Sequence, residues 1–127
     1  MDEKSCPFCS PETRSRAVAE KGTVFAMEDS SPVTEGHHLV IPFRHTPEFF
    51  TMTGRERRDA LELVALLRDR IAASDPSVKA FNLGVNCGEE AGQTVMHAHI
   101  HLIPRRKGDT PDPRGGVRGV IPGRMSY

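Results

Sequence analysis

Net charge is what this chain most plainly lacks: 17 lysines and arginines stand against 17 aspartates and glutamates. No bulk field is therefore available to hold nucleic acid. Also missing is any apolar run near the ~20 residues of a membrane span. The start, Met1-Asp2-Glu3-Lys4, is charged and is followed by no apolar stretch, so no signal peptide is expected and a cytoplasmic location is. Cysteine is scarce, at three, and in a cytoplasmic protein that odd count points to thiols or metal ligands rather than disulfides. What is present suits a soluble globular chain, with 127 residues, 37% hydrophobic and 27% charged. That is enough for a single domain with one modest core. Its charge is unevenly spread: from Pro104 to Tyr127, six cations face two carboxylates.

The most informative stretch is Gly92-Gln93-Thr94-Val95-Met96-His97-Ala98-His99-Ile100-His101-Leu102-Ile103-Pro104. Histidines every second residue, with Ala98, Ile100 and Leu102 between them, read as a strand with imidazoles on one face and apolar side chains on the other. The rings then line a groove. Before them, a glycine-containing loop offers backbone N–H groups and the short polar side chains of Gln93 and Thr94, a cradle for an anion. One metal held by all three rings is a strained alternative. The outer Cα atoms would lie ~13 Å apart, while zinc needs every nitrogen at about 2.0–2.1 Å. A histidine-rich edge strand without chemistry is the bland alternative. Nucleophilic catalysis by the central ring, with neighbours donating to an anionic substrate, is the reading preferred here.

The rest of the chain supplies the scaffold. Ala17–Glu20 and Thr23–Met27 flank Lys21-Gly22 as a hairpin, with Gly22 at positive φ. Glu28-Asp29-Ser30-Ser31-Pro32 is turn-forming. Leu39-Val40-Ile41 is a strand ended by Pro42, with His37, Leu39 and Ile41 on one face and His38 and Val40 on the other. Thr46-Pro47-Glu48 starts a short helical turn. Thr53-x-x-Glu56 is a capping box opening the main helix, whose apolar stripe is read as Leu61, Val64, Leu67 and Ile71. The helix closes before Pro76. Val78–Val85 is a further strand, and Asn86 to Gly92 is long for a hairpin, a length typical of a binding loop. Residues 105–127 form a tail rich in Gly, Pro and Arg that will not make a long helix.

Cys6-Pro7-Phe8-Cys9 is half a zinc site by spacing, and histidines must complete it. A reduced pair without metal is the alternative; no βαβ pattern follows to support a redox motif.

His97-Ala98-His99-Ile100-His101-Leu102-Ile103, with its Gly92-Gln93-Thr94-Val95 lead-in, resembles the histidine triad (HIT) family, and the resemblance runs from Cys6 to at least Arg105. It implies an α+β fold: an antiparallel sheet of about five strands with one main and one short helix. One domain fills 1–127, with a zinc-binding segment at 1–16, a core at 17–104 and the basic tail at 105–127. It implies a homodimer sharing one continuous sheet. In members with this cysteine pair, zinc is completed by residues matching His45 and His97. His37 matches the histidine that supports the nucleophilic ring, and Asn86 matches an amide that reaches the substrate phosphate.

The resemblance further implies double displacement at an α-phosphorus. His99 attacks, and a nucleotidyl-histidine is then hydrolysed. His37 and His97, with backbone carbonyls, are the candidates for fixing its tautomer, while His101, Asn86, Gln93 and Thr94 donate to the oxygens. Expected substrates are nucleoside phosphoramidates or dinucleoside polyphosphates carrying a purine nucleotide; Mg²⁺ as a companion of the substrate is left open. As a separate hypothesis, Arg114 and Arg118 wrap toward the site and contact distal phosphates, because guanidinium forks match phosphate geometry. Two other classes stay in view: a nucleotide-binding interaction module with little turnover, and a zinc-dependent hydrolase.

Overall fold

Lys21-Gly22 turns the chain as its sequence implies. In the computed structural model, which describes residues 2–127, β1 (Ala19–Lys21) pairs antiparallel with β2 (Val24–Glu28), and Gly22 sits at φ +54. Thr23 donates to Asp59 Oδ2 through its backbone N–H (3.0 Å) and hydroxyl (2.8 Å), which ties this turn to the main helix. β3 (His38–Pro42) completes a meander, α2 (Gly54–Ser74) crosses over, and β4 (Val78–Gly84) and β5 (Ile100–Arg106) follow. The antiparallel order is β1-β2-β3-β5-β4, so β5 inserts beside β3 and β4 forms an edge. The expected fold class is what is found.

Both sheet faces are covered, which is why β2 and β3 are apolar almost throughout. Val24, Ala26, Val40, Ile100 and Leu102 face α2, while Phe25, Met27, Leu39 and Ile41 face the other way with Cys6 and Phe8. The functional side chains lie on this second face: in the β3–β5 register, Leu39 is opposite His101.

Three local expectations need correction. The buried stripe of α2 is Ala60, Leu63, Val64 and Leu67, whereas Leu61 is 49% exposed. At about 100° per residue, Leu61 is rotated about 120° from Leu67, too far to share its face. The short α-helix, α1, is the four-residue turn Pro11–Arg14, capped by the Ser10 side chain. Near Thr46-Pro47-Glu48 the chain instead forms a 3-10 turn at Phe49–Thr51, with Glu48 as its cap. Finally, β5 begins only at Ile100, so His97 and His99 lie in its extended approach rather than inside the ladder.

The capping box does form. Glu56 N–H donates to Thr53 Oγ1 at 3.0 Å, and Thr53 N–H donates to Glu56 Oε1 at 2.8 Å. The same buried carboxylate takes a forked pair from Arg44 at 2.8 and 3.1 Å. This joins the start of α2 to the chain leaving β3 and holds His45 in place. Among the described residues, no helix is long and apolar enough to cross a membrane.

Candidate active site and metal cradle

His97 is wholly buried, at 0% exposure, and its ring turns away from the groove. It meets Cys6 and Cys9, which bracket the 3-10 turn Pro7–Cys9, and His45, which follows β3. Ala98 N–H donates to the Thr46 carbonyl at 2.8 Å, pinning the approach to β5 beside His45. The contacts are Cys6 Sγ to His97 Nδ1 at 3.3 Å, Cys9 Sγ to His97 Nδ1 at 3.5 Å, Cys9 Sγ to His45 Nδ1 at 3.4 Å, and His45 Nδ1 to His97 Nδ1 at 3.2 Å. A tetrahedral zinc with bonds of about 2.3 Å to sulfur and 2.0–2.1 Å to nitrogen would set such edges at about 3.6 and 3.3 Å. The donor set fits.

Its tautomer fits too. The Pro42 carbonyl, 2.8 Å from His97 Nε2, can only accept, so the proton is on Nε2 and the Nδ1 lone pair faces the cradle. Burial holds the His97 ring neutral, with its pKa pushed down to about 4. Burial and the neighbouring Cys6 push the Cys9 thiol up to about 11.

His99 is oriented by a different part of the same residue. Its Nδ1–H donates to the His97 backbone carbonyl at 2.8 Å, leaving the lone pair on Nε2. Phe8 packs edge-on against this ring, with centroids 5.1 Å apart. Burial lowers its pKa below the ordinary 6.5, so the ring is neutral near pH 7. Of the expected tautomer network, the backbone carbonyl is the part that is found, while neither the His37 ring nor the His97 ring holds the proton of His99.

His37 acts on His101 instead. Val33 N–H donates to His37 Nδ1 at 3.2 Å, so His37 Nε2 must carry the proton that it shares with His101 Nδ1 at 2.9 Å. That forces the proton of His101 onto Nε2, a donor available to an anion. Asp29 Oδ2 stands 3.5 Å from His37 Nε2. Burial and the two neighbouring rings push His101 down to about 4, and burial also lowers His37. Asp29, His37 and His101 cluster tightly enough for a cation, but the direct bond between the rings already uses their facing nitrogens.

A cavity of about 340 Å³ opens over His99 and His101, lined by Asn86, Gly92, Thr94 and Asp29, with Phe8, Met27, Leu39 and Val95 as its apolar wall. A second, of about 710 Å³, shares His101 and Asn86 and is closed on its far side by the tail. Asn86, Thr94, His99 and His101 thus come together as expected. Gln93 does not join them. It is buried, accepting from Gly88 N–H at 2.8 Å and donating to the carbonyls of Pro47 (2.6 Å) and Val95 (3.0 Å), so it braces the loop. Nor do the tail arginines join. Arg114 is exposed and pairs with Asp112 at 3.0 Å, while Arg118 donates to the Arg124 carbonyl at 3.0 Å and lies over Tyr127. Neither lines the cavities at His101, because the tail is anchored there by apolar residues and its guanidiniums face solvent or the tail itself.

Sequence reasoning passed over Asp29 as a turn residue and Phe8 as a spacer between cysteines. The β2–β3 register offered a signal for the first. Glu28 pairs with His38, so Asp29 falls opposite His37, and its N–H donates to the His37 carbonyl at 2.9 Å. Nothing local marked Phe8.

Residues 10–108 match the HIT domain family. Among similar proteins is the asymmetrical bis(5'-nucleosyl)-tetraphosphatase of Schizosaccharomyces pombe, 38% identical over 84 residues, 66% of this chain and 46% of that protein. Another is the adenylylsulfatase HINT3 of Arabidopsis thaliana, 32% identical over 110 residues, 84% of this chain and 55% of that protein. The chain therefore spans only about half the length of these two enzymes. A crystal structure of a HIT family protein from Bacillus anthracis superposes with a TM-score of 0.75 at 39% identity, covering 83% of this chain and 76% of that one. On the triad geometry and these matches together, the chain belongs to the HIT domain family.

Proposed function

We propose that this protein is a nucleotide hydrolase that cleaves a phosphoramidate or phosphoanhydride bond at the α-phosphorus through a nucleotidyl-His99 intermediate. The observation that carries the reading is the pair of fixed tautomers. His99 keeps its proton on Nδ1 and holds a neutral Nε2 as nucleophile, while beside it His101 keeps Nε2–H as donor. Support comes from similar proteins whose names are those of nucleotide hydrolases, a bis(5'-nucleosyl)-tetraphosphatase and an adenylylsulfatase.

In the first step, the His99 Nε2 lone pair forms a bond to phosphorus as the bond to the leaving group breaks. The leaving group keeps that electron pair and takes up a proton from solvent. His101 and the Asn86 amide donate to the non-bridging oxygens as charge builds. Water then replaces the ring, the electron pair returns to Nε2, and the surplus proton goes to solvent. The smaller cavity receives the nucleoside: its apolar wall suits a base, and the Asp29 carboxylate accepts from sugar hydroxyls.

Zinc belongs in the Cys6, Cys9, His45 and His97 cradle, where it would tie the N-terminal segment to the triad strand. The ring of His97 is accordingly a ligand, and its carbonyl is the part that serves catalysis. A second copy pairing along the β4 edge, where Leu83 is left exposed, gives a homodimer. Light scattering of the purified chain tests that arrangement.

The decisive experiment is trapping. Brief incubation with an adenosine 5'-phosphoramidate should give an adenylylated protein by intact-mass measurement, with the label mapped to His99, and His99→Ala should lose both adduct and product. Tight nucleotide binding without adduct or turnover would instead make the protein a binding module.

A further inference from the structure

We infer that Arg16 reads the base of the bound nucleotide, donating its guanidinium fork to the O6 and N7 acceptors of a 6-oxopurine, so that guanosine and inosine derivatives are preferred to adenosine ones. This rests on the proposed hydrolase reading and narrows its substrate class. The smaller cavity divides by chemistry along the length of a nucleotide. His99, His101, Asn86 and Thr94 belong to the phosphate, and Asp29 belongs to the sugar. What is left for the base is an apolar wall of Phe8, Met27 and Leu39 with two polar side chains from the segment before β1, Thr13 and Arg16. A flat ring lays its faces on the apolar wall, and its polar edge turns to the few polar groups that remain.

Arg16 is held at its root and open at its tip. Its backbone N–H donates to the Thr13 carbonyl at 3.0 Å, and one terminal nitrogen makes a long contact of 3.4 Å to Thr13 Oγ1. Thr13 is buried and is itself fixed by the Ser10 cap of α1, whose Oγ accepts from Thr13 N–H at 3.1 Å. Among the described residues, the Arg16 guanidinium has no carboxylate partner and no second acceptor. Arg14, two residues earlier, is engaged instead: it donates to the carbonyls of Phe8 and Phe43 and lies over the rings of Phe25 and Phe43. Of these two cations, Arg16 is the one that lines the cavity, and it stands exposed.

The donors decide the base. A guanidinium carries N–H groups and nothing that can accept. Guanine and hypoxanthine present two adjacent acceptors, O6 and N7, which match the fork. Adenine presents N7 beside an N6 amino group, so one arm of the fork meets another donor. A phosphate in the same place is less well suited, because it would lie against Phe8 and Met27 and share the cavity with the Asp29 carboxylate. The base contact is remote from phosphorus and is made before and during the displacement alike, so its effect falls on KM rather than on kcat.

The test compares the unsubstituted 5'-phosphoramidates of guanosine, inosine and adenosine on the full chain. Guanosine and inosine compounds should each have a kcat/KM about fivefold or more above the adenosine one, the lower end of what one forked contact to guanine discriminates, with the difference in KM. Arg16→Ala, at an exposed position, should bring the three within about twofold of one another. Arg16→Gln should favour adenosine, since an amide both donates to N7 and accepts from N6. A wild-type protein that handles adenosine as well as guanosine, an inosine compound that falls with adenosine, or a preference that survives Arg16→Ala overturns the assignment to Arg16 while the His99 adduct still forms. Failure of all three compounds to give adduct or product overturns the hydrolase reading, and this inference with it.

Discussion

Replacing His37 separates a positioning role from a merely structural one. Its Nε2–H, 2.9 Å from His101 Nδ1, is what keeps the donor of His101 on Nε2. In His37→Ala that bias disappears, and the His101 proton is free to reside on either nitrogen. A net hydrogen-bond contribution of about 1–1.5 kcal/mol biases the tautomers by about tenfold. Loss of the oxyanion donor outright would cost about 2.7–4 kcal/mol, or 10²–10³ in rate. Loss of the bias alone takes the competent tautomer from about nine-tenths to about one-half, so the expected fall in kcat lies between about twofold and that 10²–10³ ceiling, with KM little changed, because the donor acts on charge that develops in the transition state. His37→Gln should recover most of the loss, since an amide nitrogen at the same reach can still donate to His101 Nδ1. Steady-state kinetics on a phosphoramidate reads the effect. Urea unfolding checks that each variant is folded, since Val33 N–H loses its acceptor at a cost of about 1–3 kcal/mol. If His37→Gln were no better than His37→Ala, or if the loss fell on KM alone, the relay would be refuted.

The remaining predictions concern pH, metal and packing. Because burial lowers His99 below 6.5, the attacking lone pair is retained as pH falls from 8 to 6.5 and is lost only below it; the kcat/KM profile should be flat over that range, with its acid limb beneath 6.5. An acid limb at or above 6.5 would contradict a ring held neutral by burial. Zinc loading of the metal-free chain at neutral pH should release protons, since Cys9 stands as a thiol with its pKa near 11, and stripping the metal should cost several kcal/mol and lower Tm sharply. A Tm unchanged by a strong chelator would dismiss the cradle. Leu63→Ala should destabilise the fold by about 2–5 kcal/mol and Leu61→Ala by no more than about 0.5, as measured by denaturant midpoints; equal effects would mean that the buried face of α2 is misassigned.

Particular residues mark how far reading the chain carries. Thr53 and Glu56 named the start of α2, because a capping box is a local contact between residues three apart. Gly22 named the β1–β2 turn for the same reason. The apolar stripe of α2 went astray at Leu61: neighbouring apolar positions on a helix fit more than one stripe, and only the sheet beneath α2 picks between them. Gln93 looked like a phosphate donor by its place in the loop, yet its amide is consumed by Pro47, Val95 and Gly88, two of them near in sequence and one 46 residues away.

The amino-acid order by itself determined that three histidines would stand at alternate positions of one extended stretch, that two thiols would stand three residues apart, and that extended runs would lie on either side of one long capped helix. These are matters of spacing, and spacing is local. Only the folded chain decided which ring does what. His97 turns inward to Cys6, Cys9 and His45, His99 is fixed by a backbone carbonyl, and His101 takes its tautomer from His37, 64 residues earlier. The fate of the tail was decided there too, as its valines rather than its arginines came to face the site. The physical reason is the same in each case: a side chain's direction and proton are set by whatever donor, acceptor or apolar surface lies opposite, and that partner arrives from a distant part of the sequence.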